Sequence, residues 1–464
     1  MRIGLVVDHP RRDLEGLVLL ARALLARAQA PVLVPMYQQA VDQALLDLDA
    51  IVVNYYRPNN AASLRRWRAQ GLATFVLDTE GGVLSEAGHD SPEAFAAGLK
   101  ALNAADGVDG YLFWGDRLAR TVAASGALPQ ERIAATGCPR FDLCAEPWRR
   151  RLGARRDDYV LINTNFSLIN PAQSRGVEAE RATMIAAGWG GDYVRALIDD
   201  AQAVFAAYLA CLEELTAALP ERRFRLRPHP FEEQGLYVTR FAKRDNVEVN
   251  GEGSVAMAIH HAACVIHLNC GSAIETAMLD RLPIQLEFLN TPLQRRHAPL
   301  PGRVSLRVNS AGELADLLAR REGLQEGYDR AGAARELAPY FGALDGRAGE
   351  RAADFILERL GQLPRRRRAS LLGRTLLAQR GARSVQAVQG ALGSLFGTAV
   401  LARLREVLAP ARRSKRLKVE DIAALARQLA LCAGEEPATV RRARHPLSGL
   451  PLESVVIERP GAVA

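Results

Sequence analysis

Several common chemical signatures are missing from this sequence. Its six cysteines form no Cys-x-x-Cys pair, which argues against a zinc or disulfide framework and favours a reducing compartment. No apolar run approaches the ~20 residues that a membrane helix requires. Neither a Gly-x-Ser-x-Gly elbow nor a Gly-x-x-x-x-Gly-Lys-Ser/Thr loop occurs, so serine-hydrolase and P-loop ATPase chemistry are not expected.

Metal and dinucleotide signatures are missing as well. His260, His261 and His297 have no acidic partner at a metal-ligand spacing, so we expect no metal cofactor. The turn after the first apolar run, residues 8–12, lacks Gly-x-Gly-x-x-Gly, which counts against a dinucleotide in this half. The N-terminal stretch 1–8 is typical of a strand broken by an acid and not of a signal peptide. We therefore expect a cytoplasmic protein.

Positive charge is concentrated at the end of the chain. The formal net charge is +8, but residues 362–464 alone carry +12 and the preceding 361 residues carry −4. The densest clusters are Arg365–Arg368 and Arg412–Lys418. Such a segment can attach to an anionic membrane surface, or it can be a small domain packed on the body or on a partner. The body itself shows no basic footprint for nucleic acid.

Short apolar runs alternate with amphipathic stretches through most of the chain. This alternation predicts an α/β fold with open parallel sheets. We expect two Rossmann-like domains facing a cleft (GT-B), followed by a basic helical C-terminal extension. The predicted boundaries are 1–147 for the first domain, 155–361 for the second domain and 362–464 for the extension.

One corner in the second domain is typical of a phosphate site. An apolar run ends at His267, and after Asn269 and Gly271 a helical pattern begins at Ser272. Ser272 is a favoured N-cap residue, glycine allows close approach of a ligand, and free amides at a helix start attract anions. Glu275, one turn further, is expected either to bind a ribose hydroxyl or to be a solvated acid.

A second strand end in the same domain carries a basic corner. Arg227 and His229 stand in the run Arg-Pro-His-Pro, where the prolines restrict the backbone and present the imidazole. Both side chains are candidate phosphate contacts, and a bound phosphate would hold the imidazole protonated. The alternative for His229 is a structural role. Asn163 and Asn165, which follow the first strand of this domain, are further candidates at the same edge.

Acidic residues follow strands of the first domain. Asp78 and Glu80 come after the fourth strand, where they are candidate catalytic carboxylates or part of a solvated loop. Arg140 and Asp142 follow the sixth strand, with a catalytic role and a structural ion pair as the alternatives.

Together these motifs resemble a known group of enzymes. Bacterial CMP-sugar glycosyltransferases of GT-B type (sialyl-, polysialyl- and β-Kdo transferases) carry an acidic-acidic-Gly motif, a His-Pro motif and a Ser/Thr-rich helix start. Asp78-Thr79-Glu80-Gly81, His229-Pro230 and Gly271-Ser272 look like these three signals, although Thr79 separates the two acids. The order of all the corners also resembles the surface carbohydrate biosynthesis protein family, over about residues 1–360.

The resemblance implies a glycosyltransferase of surface-polysaccharide synthesis, with residues 1–147 as its acceptor-side domain and residues 155–361 as its nucleotide-sugar-binding domain. It would transfer a sugar, such as Kdo or another nonulosonate, from a CMP donor to a glycolipid or glycan acceptor, without a metal. The His-Pro motif would hold the CMP phosphate, and Glu80 or Asp78 would act as base. In a retaining enzyme, Asp142 or Glu80 would be the nucleophile. The alternatives are a CDP-alditol phosphotransferase and a non-catalytic scaffold of a polysaccharide assembly complex.

Overall fold

The computed structural model describes residues 1–78, 91–172, 176–186, 189–320, 323–364, 370–380 and 415–461. The chain divides into two compact units, each built from more than one stretch of sequence. The first unit comprises Met1–Gly82, Ala96–Arg151 and Phe341–Ala464, and the second comprises Val83–Phe95 and Leu152–Tyr340.

Strands and helices alternate along the described residues. The strands are β1 (Arg2–Val7), β2 (Ala30–Pro35), β3 (Ala50–Val53), β4 (Ala73–Leu77), β5 (Gly110–Phe113), β6 (Ile133–Ala135), β7 (Tyr159–Asn163), β8 (Phe224–Arg227), β9 (Val247–Val249), β10 (Ala262–His267), β11 (Pro283–Leu286), β12 (Leu306–Val308), β13 (Thr439–Arg444) and β14 (Pro451–Glu458).

The helices begin and end as follows: α1 (Pro10–Ala26), α2 (Gln39–Leu45), α3 (Pro58–Ala69), α4 (Pro92–Ala101), α5 (Ala104–Gly107), α6 (Asp116–Ser125), α7 (Pro139–Asp142), α8 (Val177–Ala186), α9 (Gly191–Ala218), α10 (Gln234–Phe241), α11 (Val255–His260), α12 (Ser272–Met278), α13 (Pro292–His297), α14 (Pro299–Arg303), α15 (Ala311–Ala319), α16 (Arg330–Phe341), α17 (Ala348–Gln362), α18 (Leu371–Arg380) and α19 (Val419–Ala433). Within the described residues, no helix combines the length and the apolar character needed to cross a membrane.

The first unit contains an eight-stranded sheet in the order β13-β14-β2-β1-β3-β4-β5-β6. The strands from β2 to β6 are parallel. Chain order runs outward from β1 to β2 on one side and from β3 to β6 on the other, so it reverses between β1 and β3. Apolar residues of β1 such as Ile3 and Leu5 pack against the apolar side of α1, including Leu20 and Leu24, in one buried cluster.

The C-terminal segment is part of this first unit. Strand β13 pairs antiparallel with β14, and β14 pairs antiparallel with β2. Leu417, Ile422, Val455 and Ile457 are buried in the same cluster as α1. The expectation of a helical extension is therefore wrong for residues 439–458, because an edge of the first sheet accepts them as strands.

Several cations of the C-terminal segment have partners inside the first unit. Lys415 lies 2.9 Å from a carboxylate oxygen of Asp8, and Arg441 pairs with Glu458 at 2.6 Å. Arg442 donates to main-chain carbonyl oxygens. These contacts favour the packed-domain interpretation for residues 415–461, whereas Arg365–Arg368 and the start of the second basic cluster lie outside the described residues.

The second unit contains a six-stranded parallel sheet in the order β12-β11-β10-β7-β8-β9. Chain order runs outward from β7 to β9 on one side and from β10 to β12 on the other, so it reverses between β7 and β10. Residues such as Val160, Leu226, Ile266 and Ile284 fill the core beneath helix α9. The prediction of two Rossmann-like α/β domains is thus confirmed.

We expect Ile457 to be a stabilising core residue of the first unit. Its side chain is 1% exposed, so Ile457→Ala should lower the free energy of unfolding by ~2–5 kcal/mol. Leu431 on α19 is 80% exposed and provides the control, since Leu431→Ala should change stability little. Chemical denaturation measures both, and equal small effects would show that the C-terminal segment does not contribute to the core.

Candidate functional site

Three strands of the second unit end at the same level. In the parallel register, His267 of β10 lies opposite Asn163 of β7, and Asn163 lies opposite Arg227 of β8. The strand order reverses between β7 and β10, and ligands of open α/β sheets bind at the carboxyl ends of the strands beside such a reversal. The candidate site of this unit is therefore centred on Asn163.

A direct hydrogen bond connects the two strand ends at the reversal. The Asn163 Nδ2 atom donates to Ser272 Oγ at 2.7 Å, and Ser272 Oγ donates to Cys270 Sγ at 3.1 Å. The Asn163 side chain is 4% exposed. Its Oδ1 atom has no hydrogen-bond partner among the described residues. A buried amide oxygen without a partner can accept a hydrogen bond from a ligand.

The start of α12 differs from the predicted one. Gly271, and not Ser272, occupies the N-cap, and no side chain caps the helix. The amides of Ala273 and Ile274 donate to the carbonyl oxygens of Cys270 and Gly271 at 3.1 Å. The expectation of free amides is therefore wrong for Ala273 and Ile274, because each amide donates to the carbonyl oxygen three residues earlier and closes the first turn.

Gly271 leaves open space above the turn. Its φ is −57°, which any residue adopts, and a Cβ atom built there would meet no described atom within 4 Å. The fold of the described residues therefore does not demand glycine at this position. A ligand that approaches the backbone closely would demand it.

Asn269 shapes this turn from within. It adopts a left-handed φ of 49°, its Oδ1 accepts from Gln285 Nε2 at 2.9 Å, and its Nδ2 donates to Asn290 Oδ1 at 2.7 Å. Asn165 donates to the carbonyl oxygen of Asn269 at 3.3 Å. The structure thus uses the Asn269 side chain to hold the turn, and sequence reasoning missed Gln285 and Asn290.

His229 lies in the turn that follows β8. Its backbone amide donates to Thr164 Oγ1 at 3.1 Å, and its Nδ1 accepts from the Phe231 amide at 3.3 Å. An accepting Nδ1 carries no proton, so the ring proton is on Nε2. The ring is half-buried and carries its proton on Nε2. That a bound phosphate would hold the imidazole protonated stays a prediction.

Arg227 is oriented by main-chain atoms. Its two terminal nitrogens donate to the carbonyl oxygens of Glu252 and Gly253, each at 2.6 Å. The guanidinium group is buried and holds the loop after β9 against β8. These contacts support a structural role, and a phosphate contact of Arg227 stays a prediction.

Two further candidates are buried. His267 is fully enclosed, its Nε2 lies 2.8 Å from Ser305 Oγ, and burial lowers its pKa to about 3. The ring is therefore neutral and lies in the core beneath the turn. Glu275 is buried in α12, so the solvated-acid alternative is wrong for it.

Asp78 of the first unit is also buried. Its Oδ2 accepts from the Tyr111 hydroxyl at 2.8 Å, and its carbonyl oxygen accepts from Trp114 Nε1 at 2.6 Å. Burial, and then the charge of Asp78, raise the pKa of Tyr111. Glu80 lies outside the described residues, so the proposed role of this acid stays a prediction.

A small cavity of about 30 Å³ opens beside Asp78, at the strand reversal of the first unit. Its lining includes Asp13, Asn54 and Arg140. Asn54 was not singled out from the sequence. It follows β3, donates to the Val6 carbonyl oxygen at 3.1 Å, and its buried Oδ1 has no partner among the described residues. Asn54 thus resembles Asn163 in position and in bonding.

Asp142 caps a helix. Its Oδ1 and Oδ2 accept from the amides of Ala348 and Gly349, at 2.9 and 2.8 Å, at the start of α17. The chain around Arg140 packs against Gly16 of α1, where a Cβ would lie 2.5 Å from the Arg140 nitrogen. Among the described residues, Asp142 therefore has a structural use as the cap of α17, and not as part of the ion pair with Arg140 that is the structural alternative from the sequence.

The described residues hold no group of three or more His, Cys, Asp or Glu side chains arranged to bind a metal ion. No protein-family model matches the chain, and no curated protein matches it.

Comparison with solved structures finds distant likenesses. A structure of the wall teichoic acid polymerase TagF has a TM-score of 0.49 at 12% identity, covering 78% of this chain and 89% of that chain. S. aureus MnaA, solved with UDP, has a TM-score of 0.48 at 11% identity, covering 78% and 97%. The UDP-GlcNAc 2-epimerase of Methanocaldococcus jannaschii has 0.43 at 12% identity, covering 77% and 100%. The parallel strands β1–β6 of the first sheet and β7–β12 of the second define the fold by themselves.

We expect Asp142 to give the protein a pH-dependent stability. Burial raises the pKa of Asp142 from 3.8 to about 6, although the Gly349 and Ala348 amides lower it. Since the folded-state pKa is the higher one, protonation of Asp142 stabilises the folded protein. This stabilisation is complete at low pH and is lost as the pH rises through about 6. The stability of the wild type relative to Asp142→Asn should therefore fall between pH ~4 and pH ~7 in urea unfolding. A difference that does not change with pH would contradict this assignment.

Proposed function

We propose that this protein is a glycosyltransferase of surface-polysaccharide synthesis that uses a nucleotide-activated sugar. The observation that carries the proposal is the convergence of Asn163, Gly271, Ser272 and His229 at the strand reversal of the second unit. These residues offer amide and imidazole donors beside an open glycine, and the Ser272 hydroxyl would exchange its hydrogen bond to Cys270 Sγ for one to the ligand. Such donors suit a phosphate, and a strand reversal in an open α/β sheet is where nucleotides bind.

The donor is proposed to be a CMP-sugar, such as CMP-Kdo or another CMP-nonulosonate. This choice rests on the resemblance of His229-Pro230 and Gly271-Ser272 to the motifs of CMP-sugar glycosyltransferases. The Nε2–H of His229 would donate to a phosphate oxygen of CMP. A neutral N–H donor is sufficient for this, since stabilisation of the departing phosphate requires donors directed at its oxygens. Asn163 Oδ1 would accept from a ligand hydroxyl or amino group.

The proposed reaction transfers the sugar to a hydroxyl group of a glycolipid or glycan acceptor. The acceptor oxygen bonds to the anomeric carbon, the bond from that carbon to the phosphate oxygen breaks, and the electron pair leaves with CMP. A carboxylate takes the acceptor proton in an inverting reaction. Glu80 or Asp78 is proposed for this step, by resemblance. In a retaining reaction Glu80 is the better nucleophile, because both oxygens of Asp142 accept backbone amides.

The experiment that tests the proposal is a nucleotide titration of the full chain. CMP, CDP, UDP and GDP are compared by thermal shift, each with and without EDTA. We expect CMP to stabilise the protein with or without EDTA, because the proposed contacts need no metal. A ligand at a hundred times its Kd contributes ~2.7 kcal/mol. Stabilisation by UDP or GDP alone would overturn the donor assignment, turnover of CDP-glycerol would favour a phosphotransferase, and binding of no nucleotide would favour a scaffold.

Substitutions locate the site. His229→Ala removes a donor to the phosphate and should weaken CMP binding by ~10-fold or more. Gly271→Ala should weaken CMP binding similarly while changing the unfolding free energy by less than ~1 kcal/mol, because the added methyl meets no described atom. Gly312 is the matched control, since its Cβ would make only an ordinary contact of 3.9 Å with Ser310. Unchanged CMP affinity in Gly271→Ala would place the phosphate elsewhere.

A further inference from the structure

Glu232 is a buried acid that sequence reasoning missed. It follows the Arg-Pro-His-Pro corner and is 4% exposed. Its carboxylate accepts from Thr164 Oγ1 at 2.8 Å, from the Phe166 amide at 2.7 Å and from the Tyr237 hydroxyl. A buried carboxylate is retained only when its oxygens are satisfied in this way.

Thr164 connects this carboxylate to His229. Its hydroxyl has a single proton, and an ionised carboxylate can only accept, so Thr164 donates to Glu232. The hydroxyl oxygen is then available to accept from the His229 amide, at 3.1 Å. Glu232 thereby sets the direction of both hydrogen bonds, and the end of β7 and the turn after β8 are held together at His229.

The neighbouring residue Glu233 shows what an acid does here without that connection. Its two oxygens accept from the amides of Gly235 and Leu236, each at 3.0 Å, at the start of α10. These contacts are exposed and serve only as a helix cap. Two adjacent glutamates thus differ in burial and in partners, which makes Glu233 a matched control.

We propose that Glu232, acting through Thr164, is a positioning residue that holds His229 in the orientation needed to bind the phosphate of the nucleotide. This inference rests on the proposed function of the site. Burial raises the pKa of Glu232, while its hydrogen bonds with Tyr237, Phe166 and Thr164 lower it. Burial is the larger effect, so the pKa of Glu232 is raised overall. In the observed hydrogen bonds both carboxylate oxygens nevertheless accept, which gives the direction of the Thr164 contact.

The test is a double-mutant cycle on CMP affinity, measured by isothermal titration with melting curves in parallel. Glu232→Gln keeps the shape but places an amide N–H₂ among donors, so CMP should bind ~10-fold or more weakly. Glu233→Gln should stay within ~2-fold of the wild type. In a His229→Ala background, Glu232→Gln should have no further effect, since a positioning residue acts only through the group that it positions.

Thr164 supplies a second pair of variants, which decides the question even if Glu232→Gln fails to fold. Thr164→Val removes the hydroxyl at nearly constant volume and should weaken CMP binding, whereas Thr164→Ser keeps the hydroxyl and should restore it. Additive effects of Glu232→Gln and His229→Ala, or equal affinities of the Val and Ser variants, would overturn the proposal. If the wild type binds no nucleotide, the proposed function fails first, and the two failures are thereby distinguished.

Discussion

The in-register parallel pairing of β10, β7 and β8 is the constraint on which the candidate site depends. Each strand contributes a polar residue at its carboxyl end, and the register brings His267, Asn163 and Arg227 to one level. Because the strand order reverses between β7 and β10, the helical connections leave in opposite directions and open a crevice there. The hydrogen bond from Asn163 to Ser272 spans this crevice. A shift of one residue in β7 would turn the Asn163 side chain to the opposite face and remove this contact.

Each polar residue at this edge acquires its role from its partners rather than from its type. Asn163 and Asn269 are both buried asparagines, yet Asn269 uses its side chain to hold a left-handed turn, while Asn163 keeps an amide oxygen without a partner among the described residues. Glu232 is buried and accepts from Thr164, whereas Glu233 caps a helix at the surface. Burial and hydrogen-bond geometry therefore distinguish residues that composition treats as equivalent.

Much of the architecture could be predicted, because a parallel strand and the helix after it leave a local pattern in the sequence. The same reasoning found the strand-end corners around Asn163, His229 and Ser272. It missed the partners of these residues, such as Glu232 and Gln285, because these contacts join positions far apart in the chain and have no local signal. It also missed β13, where Arg441 and Arg442 sit within an edge strand and mask its apolar alternation.

The most direct test of the account is a crystal structure of the full chain with CMP. The account predicts the phosphate at the carboxyl ends of β7, β8 and β10, with an oxygen within ~3.2 Å of His229 Nε2 and another near Ser272 Oγ. It also predicts that Gly271 contacts the nucleotide through its backbone. CMP bound at the strand reversal of the first unit, beside Asn54, or bound without contact to His229 and Ser272, would contradict the account.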